Sequence, residues 1–585
     1  MGKMGNTKNK VVTATINGDQ ITVPAGTTIL EAAKQVGFNI PTLCHHPDLK
    51  PRATCRVCLV EVKGQRRLQT ACNTPVGEGN EIITNSLAVR ETRKTMLELI
   101  LADHPQDCLK CTRNQNCELQ ILADEYQIRE NPFVVSTVVS AKNLLFEDSN
   151  PAIVRDMNKC IKCGRCVEVC QEIQQVGAIN TASRSLAYGI STAFEEELAD
   201  SPCTYCGQCV AVCPVGALKE KDDTAKVWQA LNNSELHVVV QTAPAVRVAL
   251  GEEFGQKPGS ITTGKMVAAL KRLGFAKVFD TNFTADLTII EESRELLGRL
   301  KDKGALPLLT SCSPGWISYI EKMYPELLPH VSTCKSPQQM FGALAKTYYA
   351  EKAEIPAEKM FVVSIMPCTA KKYECTRPEM RSSGYQDVDV VLTTRELAQM
   401  IKQTGLDFAA LPEAEYDEPF RVSTGAAAIF GASGGVMEAA LRTVYETVAG
   451  KTLEDLNFKM VRGLEGIKEA TVDLAGKKVK VAVANGLGNA KVLLEKIKAG
   501  QCQYHFIEVM ACPGGCVGGG GQPFGTTKVE KERRLEALYT LDENSKLRKS
   551  HDNPVVTQVY EEYLKKVLGF KAHELLHTYY TDRNY

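Results

Sequence analysis

The chain has 585 residues, with 69 basic and 69 acidic side chains and 22 cysteines. This length accommodates three or more domains, and a formal net charge of zero supplies no overall field to draw the molecule onto nucleic acid or an anionic membrane. No apolar run reaches the ~18 residues that cross a bilayer, and the opening MGKMGNTKNKVVTATING has neither an apolar signal core nor a twin arginine. The expectation is a soluble cytoplasmic protein. In that reducing compartment thiols are rarely paired as disulfides, so metal binding accounts for most of the cysteines.

Short alternating runs (VVTATI, QITVPAG), a helical ILEAAKQVG and a strand-like CLVEVKG occupy residues 11–85. They resemble the β-grasp of plant-type ferredoxins. Cys44, Cys55, Cys58 and Cys72 fall within this stretch, a set suited to a 2Fe-2S cluster held against a sheet. Structural zinc is the competing occupant, since it also accepts four thiolates. Residues 86–130 turn helical (ETRKTMLELILADHP) and end in His104, Cys108, Cys111 and Cys117. The histidine completes a set of three thiols, which points to a 4Fe-4S cluster with one imidazole ligand. A neutral ligand in place of a thiolate raises the cluster potential, as in Rieske centres.

Residues 145–222 carry an internal repeat, CIKCGRCVEVC followed by CTYCGQCVAVCP. In the bacterial two-cluster ferredoxin run the fourth cysteine of each repeat serves the other cluster. One 4Fe-4S site therefore takes Cys160, Cys163, Cys166 and Cys213, the other Cys203, Cys206, Cys209 and Cys170, with two zinc sites as the alternative. These modules lack substrate chemistry and read as an electron relay. From 230 to 523 strand-like runs (HVVVQTAPAVRVAL, KVFDTN, FVVSIMP, DVVLTT, VKVAVANG) alternate with helical stretches, predicting α/β architecture with parallel sheets and functional loops at the carboxyl ends of strands. Residues 524–585 are helical and mixed in polarity, a segment expected to pack around the outside.

Three stretches in the α/β region combine thiols with glycine or proline: TSCSPGW (310–316), MPCTAKKYE (366–374) and EVMACPGGCVGGGGQP (508–523). Thiolates at such spacing are soft-metal ligands, and glycines permit positive φ and close approach of a bulky inorganic group. Taken alone, the last stretch is equally a flexible loop with two structural cysteines. No Gly-x-Gly-x-x-Gly follows a strand and no Gly-Lys-Ser/Thr phosphate loop occurs, so no nucleotide site is expected on this chain.

With these motifs together, the chain closely resembles the FeFe-hydrogenases (iron-only hydrogenases). It is most similar to the long bacterial type, which includes single-chain clostridial enzymes and the catalytic subunit of heteromeric NADP-reducing hydrogenases. The resemblance implies reversible oxidation of dihydrogen at a 4Fe-4S cluster bridged to a two-iron centre bearing CO, cyanide and azadithiolate. One 2Fe-2S and three further 4Fe-4S clusters would precede it. By position, Cys368, Cys512 and Cys516 match cluster ligands, Cys516 being the bridging thiolate. Lys371 matches the donor to a cyanide, and Ala243, Pro244, Gln338, Met366 and Met510 match other lining positions. Cys312, Glu292, Ser332, Glu295 and Arg299 match the proton route, and Glu292 and Glu295 share one face of the helical EESRELLGRL, which without the resemblance reads first as a solvated charged face. The family usually has Thr-Ser-Cys-Cys-Pro where this chain has Ser313, at the register of the fourth cubane ligand. Three outcomes follow: ligation by Ser313, ligation by Cys312 with loss of the proton route, or a cluster held by three cysteines. Implied partners are dihydrogen and protons, ferredoxin or NADP(H)-binding flavoprotein and ferredoxin-like subunits, and maturation proteins. Two rival assignments are an electron-transfer subunit related to respiratory NADH dehydrogenases, which would lack MPCTAKKYE and EVMACPGGC, and a dihydrogen sensor.

Overall fold

The computed structural model describes residues 10–133, 146–302, 304–474 and 476–583; the expected start of the two-cluster unit at 145 lies outside them. The first sheet follows from residue alternation. In β1 (Val11–Ile16) Val12, Ala14 and Ile16 are buried while the residues between face outward. Asn17-Gly18, both at positive φ, closes a hairpin onto β2 (Asp19–Pro24). With β3 (Leu59–Val62), β4 (Gln69–Thr70) and β5 (Glu81–Ile83) the sheet runs β2-β1-β5-β3-β4, β1 and β5 being parallel. Thr28 and Glu31 cap the helix Ile29–Gln35 reciprocally beneath it. The helices Leu87–Ala102 and Glu118–Glu125 flank the His-Cys segment.

The next unit combines β6 (Phe146–Glu147), β7 (Ile153–Asp156) and β10 (Leu218–Glu220) in one sheet with a hairpin of β8 (Asn180–Ala182) and β9 (Gly189–Ser191). Its sequence repeat is also a backbone repeat. Lys162 and Tyr205, then Gly164 and Gly207, occupy equivalent left-handed positions, each pair leading into a short helix (Arg165–Glu168, Gln208–Ala211).

The large α/β unit has two sheets. β11 (His237–Thr242), β12 (Lys277–Asp280), β14 (Met360–Met366) and β15 (Val390–Thr393) are all parallel in the order β12-β11-β14-β15. The second sheet, β13-β18-β17-β16, is built from β13 (Leu308–Leu309), β16 (Ile467–Leu474), β17 (Lys477–Asn485) and β18 (Phe506–Met510). It is parallel except for β16, which pairs antiparallel to β17 across a tight turn. The run HVVVQTAPAVRVAL is strand only to Thr242; Pro244 lacks a ladder donor, and the chain turns there. The C-terminal segment is not an outer wrap. Val555, Val559, Leu564, Leu575 and Leu576 join the same buried core as Val239 of β11 and Val363 of β14. Among the described residues no helix is long and apolar enough to cross a membrane.

Candidate active site

The carboxyl ends of β11, β13, β14 and β18 converge on one cavity. TSCSPGW and MPCTAKKYE begin where β13 and β14 stop, and the ACPGGC part of EVMACPGGC begins where β18 stops, the position at which α/β sheets present functional loops. Cys312, Ser313, Cys368, Cys512, Cys516 and Lys371 line the cavity, together with Ala243, Pro244, Gln338, Met366 and Met510. Burial raises the Cys368 thiol and pushes Cys516 up to about 12. Such thiols become thiolates only with a cation or metal beside them. The donor set, soft and roomy, fits a large iron-sulfur group, and the buried Gln338 Oε1 lacks a protein partner.

Lys371 is held by a residue that sequence reasoning passed over. Its Nζ lies 2.9 Å from Glu374 Oε2 and 3.3 Å from the Cys312 carbonyl. The same Glu374 oxygen accepts from Gln338 Nε2 at 3.0 Å and Ser336 Oγ at 2.9 Å. One carboxylate thereby orients the ammonium and the amide; its three-residue spacing from Lys371 in a helix was the available signal. Glu508 was likewise missed. It accepts from the backbone N–H of Gly434 (2.6 Å) and Met437 (2.7 Å) at the start of the helix Gly435–Ala449. Burial pushes its carboxyl up to about 6.

The glycines also let chain segments pack closely. A Cβ on Gly520 would lie 2.7 Å from both Cys206 O and Gly207 Cα, and one on Gly515, at φ +85°, 2.6 Å from Ser433 N. The glycine loop therefore seats directly on the two-cluster unit. Thr369 Oγ1 donates to Tyr205 O at 2.7 Å, Gln208 Nε2 donates to Gly518 O at 2.9 Å, and Tyr205 stacks on Tyr373 at 4.0 Å. Arg395 anchors the loop, donating to Gly520 O (2.9 Å) and Gln522 O while paired with Glu220 of β10 at 2.7 Å.

The opposite wall holds a file of polar side chains. Glu292, buried in the helix Asn282–Asp302, lies near Cys312 and Ser332 and interacts electrostatically with both. Ser332 Oγ donates to Glu295 at 2.7 Å, and Glu295 pairs with Arg299 at 2.6 Å, where the file reaches partial exposure. Burial first, and then the Glu295 charge, pushes Glu292 up to about 8.

The remaining thiols gather in sets. Cys44 is within hydrogen-bond reach of Cys55 and Cys72, and Cys58 of Cys72. The Cys213 thiol bears on Cys160, Cys163 and Cys166, whereas Cys170 is brought to Cys203, Cys206 and Cys209, the crossed pairing of the repeat. Cys117 couples to Cys111, Cys108 lies on the same partly exposed turn, and burial lowers His104, leaving it neutral with Nδ1 unpartnered. Contacts link the sets. Thr54 Oγ1 donates to Cys163 O at 3.4 Å, and Glu118 N donates to Pro214 O at 3.0 Å. A Cβ on Gly216 would meet Cys111 Sγ at 2.6 Å.

Comparison with known families and proteins accounts for these units. The family described as iron only hydrogenase large subunit, C-terminal domain, matches residues 236–520, and iron hydrogenase small subunit matches 528–583. A 2Fe-2S iron-sulfur cluster binding domain matches 9–86. The iron-sulfur binding region of NADH-ubiquinone oxidoreductase G matches 93–132, and the ferredoxin-like domain of NADH-quinone oxidoreductase subunit 3 matches 150–219. The NADP-reducing hydrogenase subunit HndD of Solidesulfovibrio fructosivorans is 50% identical over 98% of this chain and 99% of its own length. Iron hydrogenase 1 of Clostridium pasteurianum is 42% identical over 97% and 99%. Among solved structures, the apo FeFe-hydrogenase HydA1 of Chlamydomonas reinhardtii superposes with a TM-score of 0.56 at 45% identity, covering 62% of this chain and 100% of that one.

Proposed function

The chain belongs to the family of iron-only hydrogenases, and from that premise we propose that it works as the hydrogen-converting subunit of a heteromeric, NADP(H)-linked complex. The reaction is the reversible oxidation of dihydrogen to protons and electrons. The observation that carries the reading is the arrangement of two routes around one cavity: cysteine sets approach it from the Cys206 side, and carboxylates leave it from the Cys312 side.

Cys368, Cys512 and Cys516 would hold a catalytic 4Fe-4S cluster, with Cys516 bridging to a two-iron centre carrying CO, cyanide and azadithiolate. When bound, that centre supplies the iron at which dihydrogen is split. Lys371, fixed by Glu374, presents its ammonium to an anionic ligand in a poorly hydrated pocket. Met366, Met510, Ala243 and Pro244 exclude water, while Gln338 offers its free amide oxygen. Cys312 would hold a proton at Sγ on the cavity side and exchange it with Glu292, and Ser332 would pass it to Glu295 beside Arg299. Cys44, Cys55, Cys58 and Cys72 would hold a 2Fe-2S cluster, and His104 with Cys108, Cys111 and Cys117 a 4Fe-4S cluster. The two crossed sets would hold one 4Fe-4S cluster each. The Thr54–Cys163 and Gly216–Cys111 contacts make the relay fork towards both N-terminal modules, which serve as docking points for the flavoprotein or ferredoxin-like partners. The domain division 11–85, 86–130, 145–222, 230–523 and 524–585 is part of this proposal.

Anaerobic protein supplied with the two-iron centre is expected to reduce a viologen dye rapidly with dihydrogen, and Cys516→Ala to abolish that reduction while the N-terminal clusters stay visible. No turnover by the loaded parent protein would overturn the enzymatic reading. Co-purification with a flavin-bearing subunit and NADP reduction test the partner; ferredoxin reduction by the chain alone, with no associated subunit, would replace it.

A further inference from the structure

We propose that Ser313, through Oγ, is the fourth ligand of the catalytic cubane, and that Cys312 stays off the cluster as the thiol of the proton side. This rests on the proposed seating of a 4Fe-4S cluster on Cys368, Cys512 and Cys516. Three thiols satisfy three corners of such a cube, and TSCSPGW brings the Cys312 thiol and the Ser313 hydroxyl to the same cavity.

Ser313 sits at the N-cap of the helix Pro314–Met323, where a serine ordinarily accepts a hydrogen bond from the first turn. It makes no such bond. Its hydroxyl instead faces the backbone N–H of Ala511, at 3.3 Å, the residue before Cys512. Two residues on, a Cβ on Gly315 would touch Ala511 Cβ at 3.3 Å and Cys206 Cβ at 3.6 Å. The loop is therefore wedged between the Cys512 loop and the neighbouring thiol set. Ser313 has extended backbone (φ −102°, ψ 103°), in which successive side chains point to opposite sides.

Cys312 consequently faces the other way. It packs with the cluster containing Ala285, Ile289, Phe430 and Met510, and it lies near Glu292 and Glu508 as well as Cys516 and Lys371. Cys512 by contrast is coupled to Cys368, Cys516 and Cys206. Turning Cys312 to the cubane would withdraw the thiol from Glu292 and carry the hydroxyl into an apolar wall. Ligation by Ser313 forms an Oγ–Fe bond and breaks Oγ–H, the proton leaving to solvent during cluster assembly. An alkoxide is a harder donor than a thiolate, so it stabilises the oxidised cubane and lowers its potential.

The test uses the full chain loaded with iron and sulfide but without the two-iron centre, so its readout is independent of turnover. Oxidised four-iron and two-iron clusters are silent in electron paramagnetic resonance, whereas a cubane that has lost a corner ligand sheds an iron and becomes visible. Ser313→Ala is expected to lose one iron per chain and show a three-iron signal. Cys312→Ala is expected to keep the parent iron content and silent spectrum. Ser313→Cys, which retains a ligand should the alanine variant misfold, is expected to titrate at a higher cubane potential. Loss of iron in Cys312→Ala but not in Ser313→Ala would overturn the assignment in favour of Cys312. Full iron content in both alanine variants, with no shift in Ser313→Cys, would overturn it in favour of a cluster held by three cysteines. Parent protein whose iron matches the N-terminal clusters alone would instead sink the cubane itself.

Discussion

The two walls of the cavity are built from different materials. On the side of the two-cluster unit side chains bond to backbone carbonyls and backbones meet closely where Cβ atoms are missing at Gly207 and Gly520, beside the Tyr205–Tyr373 stack and the Arg395–Glu220 pair. On the opposite side the contacts run from side chain to side chain, Glu292 to Ser332 to Glu295 to Arg299. On the proposed routes the difference follows from what would cross each wall. An electron needs only proximity, so close packing suffices. A proton needs an unbroken file of groups that accept and release it, so every member is chemically specific.

The sharpest way to break the contrast is on the proton wall. Glu292→Gln keeps size and hydrogen bonding but cannot cycle a proton, and a lost acid-base group costs roughly 10²–10⁴-fold in rate. Viologen-linked turnover is expected to fall by that order while the iron content and cluster spectra match the parent. Unchanged turnover would show that protons leave elsewhere. The pH dependence sharpens it further. Burial holds Glu292 protonated up to about pH 8. Proton reduction, which needs the acid form as donor, is expected to decline as pH rises through about 8. Dihydrogen oxidation, which needs the carboxylate as acceptor, is expected to rise over the same interval. Rates of both directions in Glu292→Gln are expected to lose these two limbs.

The electron wall yields a different failure. Arg395→Met removes the Glu220 pair and the donors to the Gly520 and Gln522 carbonyls. Removing one partner of a buried ion pair costs about 3–5 kcal/mol. The thermal midpoint is expected to drop, with turnover per correctly loaded molecule retained. A turnover loss without destabilisation would mean that Arg395 acts on the chemistry itself.

The electron wall was also the more legible in sequence. Thiol spacing is local, so CIKCGRCVEVC and CTYCGQCVAVCP announce their sets without a fold. The parallel sheets were legible from strand and helix alternation, apart from β16, whose reversal depends on a turn near Gly476 that periodicity does not register. The C-terminal segment read as an outer wrap because its apolar residues are interspersed with charges; only tertiary packing shows Leu575 and Leu576 inside the main core. Glu374 escaped because a single glutamate in a helix reads as a solvated charge. Its role appears when Lys371, Gln338 and Ser336, from two separate segments, meet on it. What the sequence did not display is that the glycine loop also packs on Cys206 and Gly207, more than 300 positions away in sequence.

The smallest expected effect lies farthest from the cavity. The turn Cys108–Lys110, four residues after His104, carries Leu109, which is 93% exposed, so the cluster proposed for His104 and its cysteines would stand at the surface end of one branch. His104→Cys would add a negative charge to that cluster, which disfavours its reduction. Its midpoint potential, followed by spectroscopically monitored redox titration, is expected to fall. Dihydrogen-linked viologen reduction is expected to change little, because the other branch and the clusters nearer the cavity remain open to a small dye. Reduction of the physiological partner is expected to slow if this branch carries its electrons. A loss of dye turnover as large as that of Glu292→Gln would break the contrast, because it would make one surface cluster as indispensable as a member of the proton file.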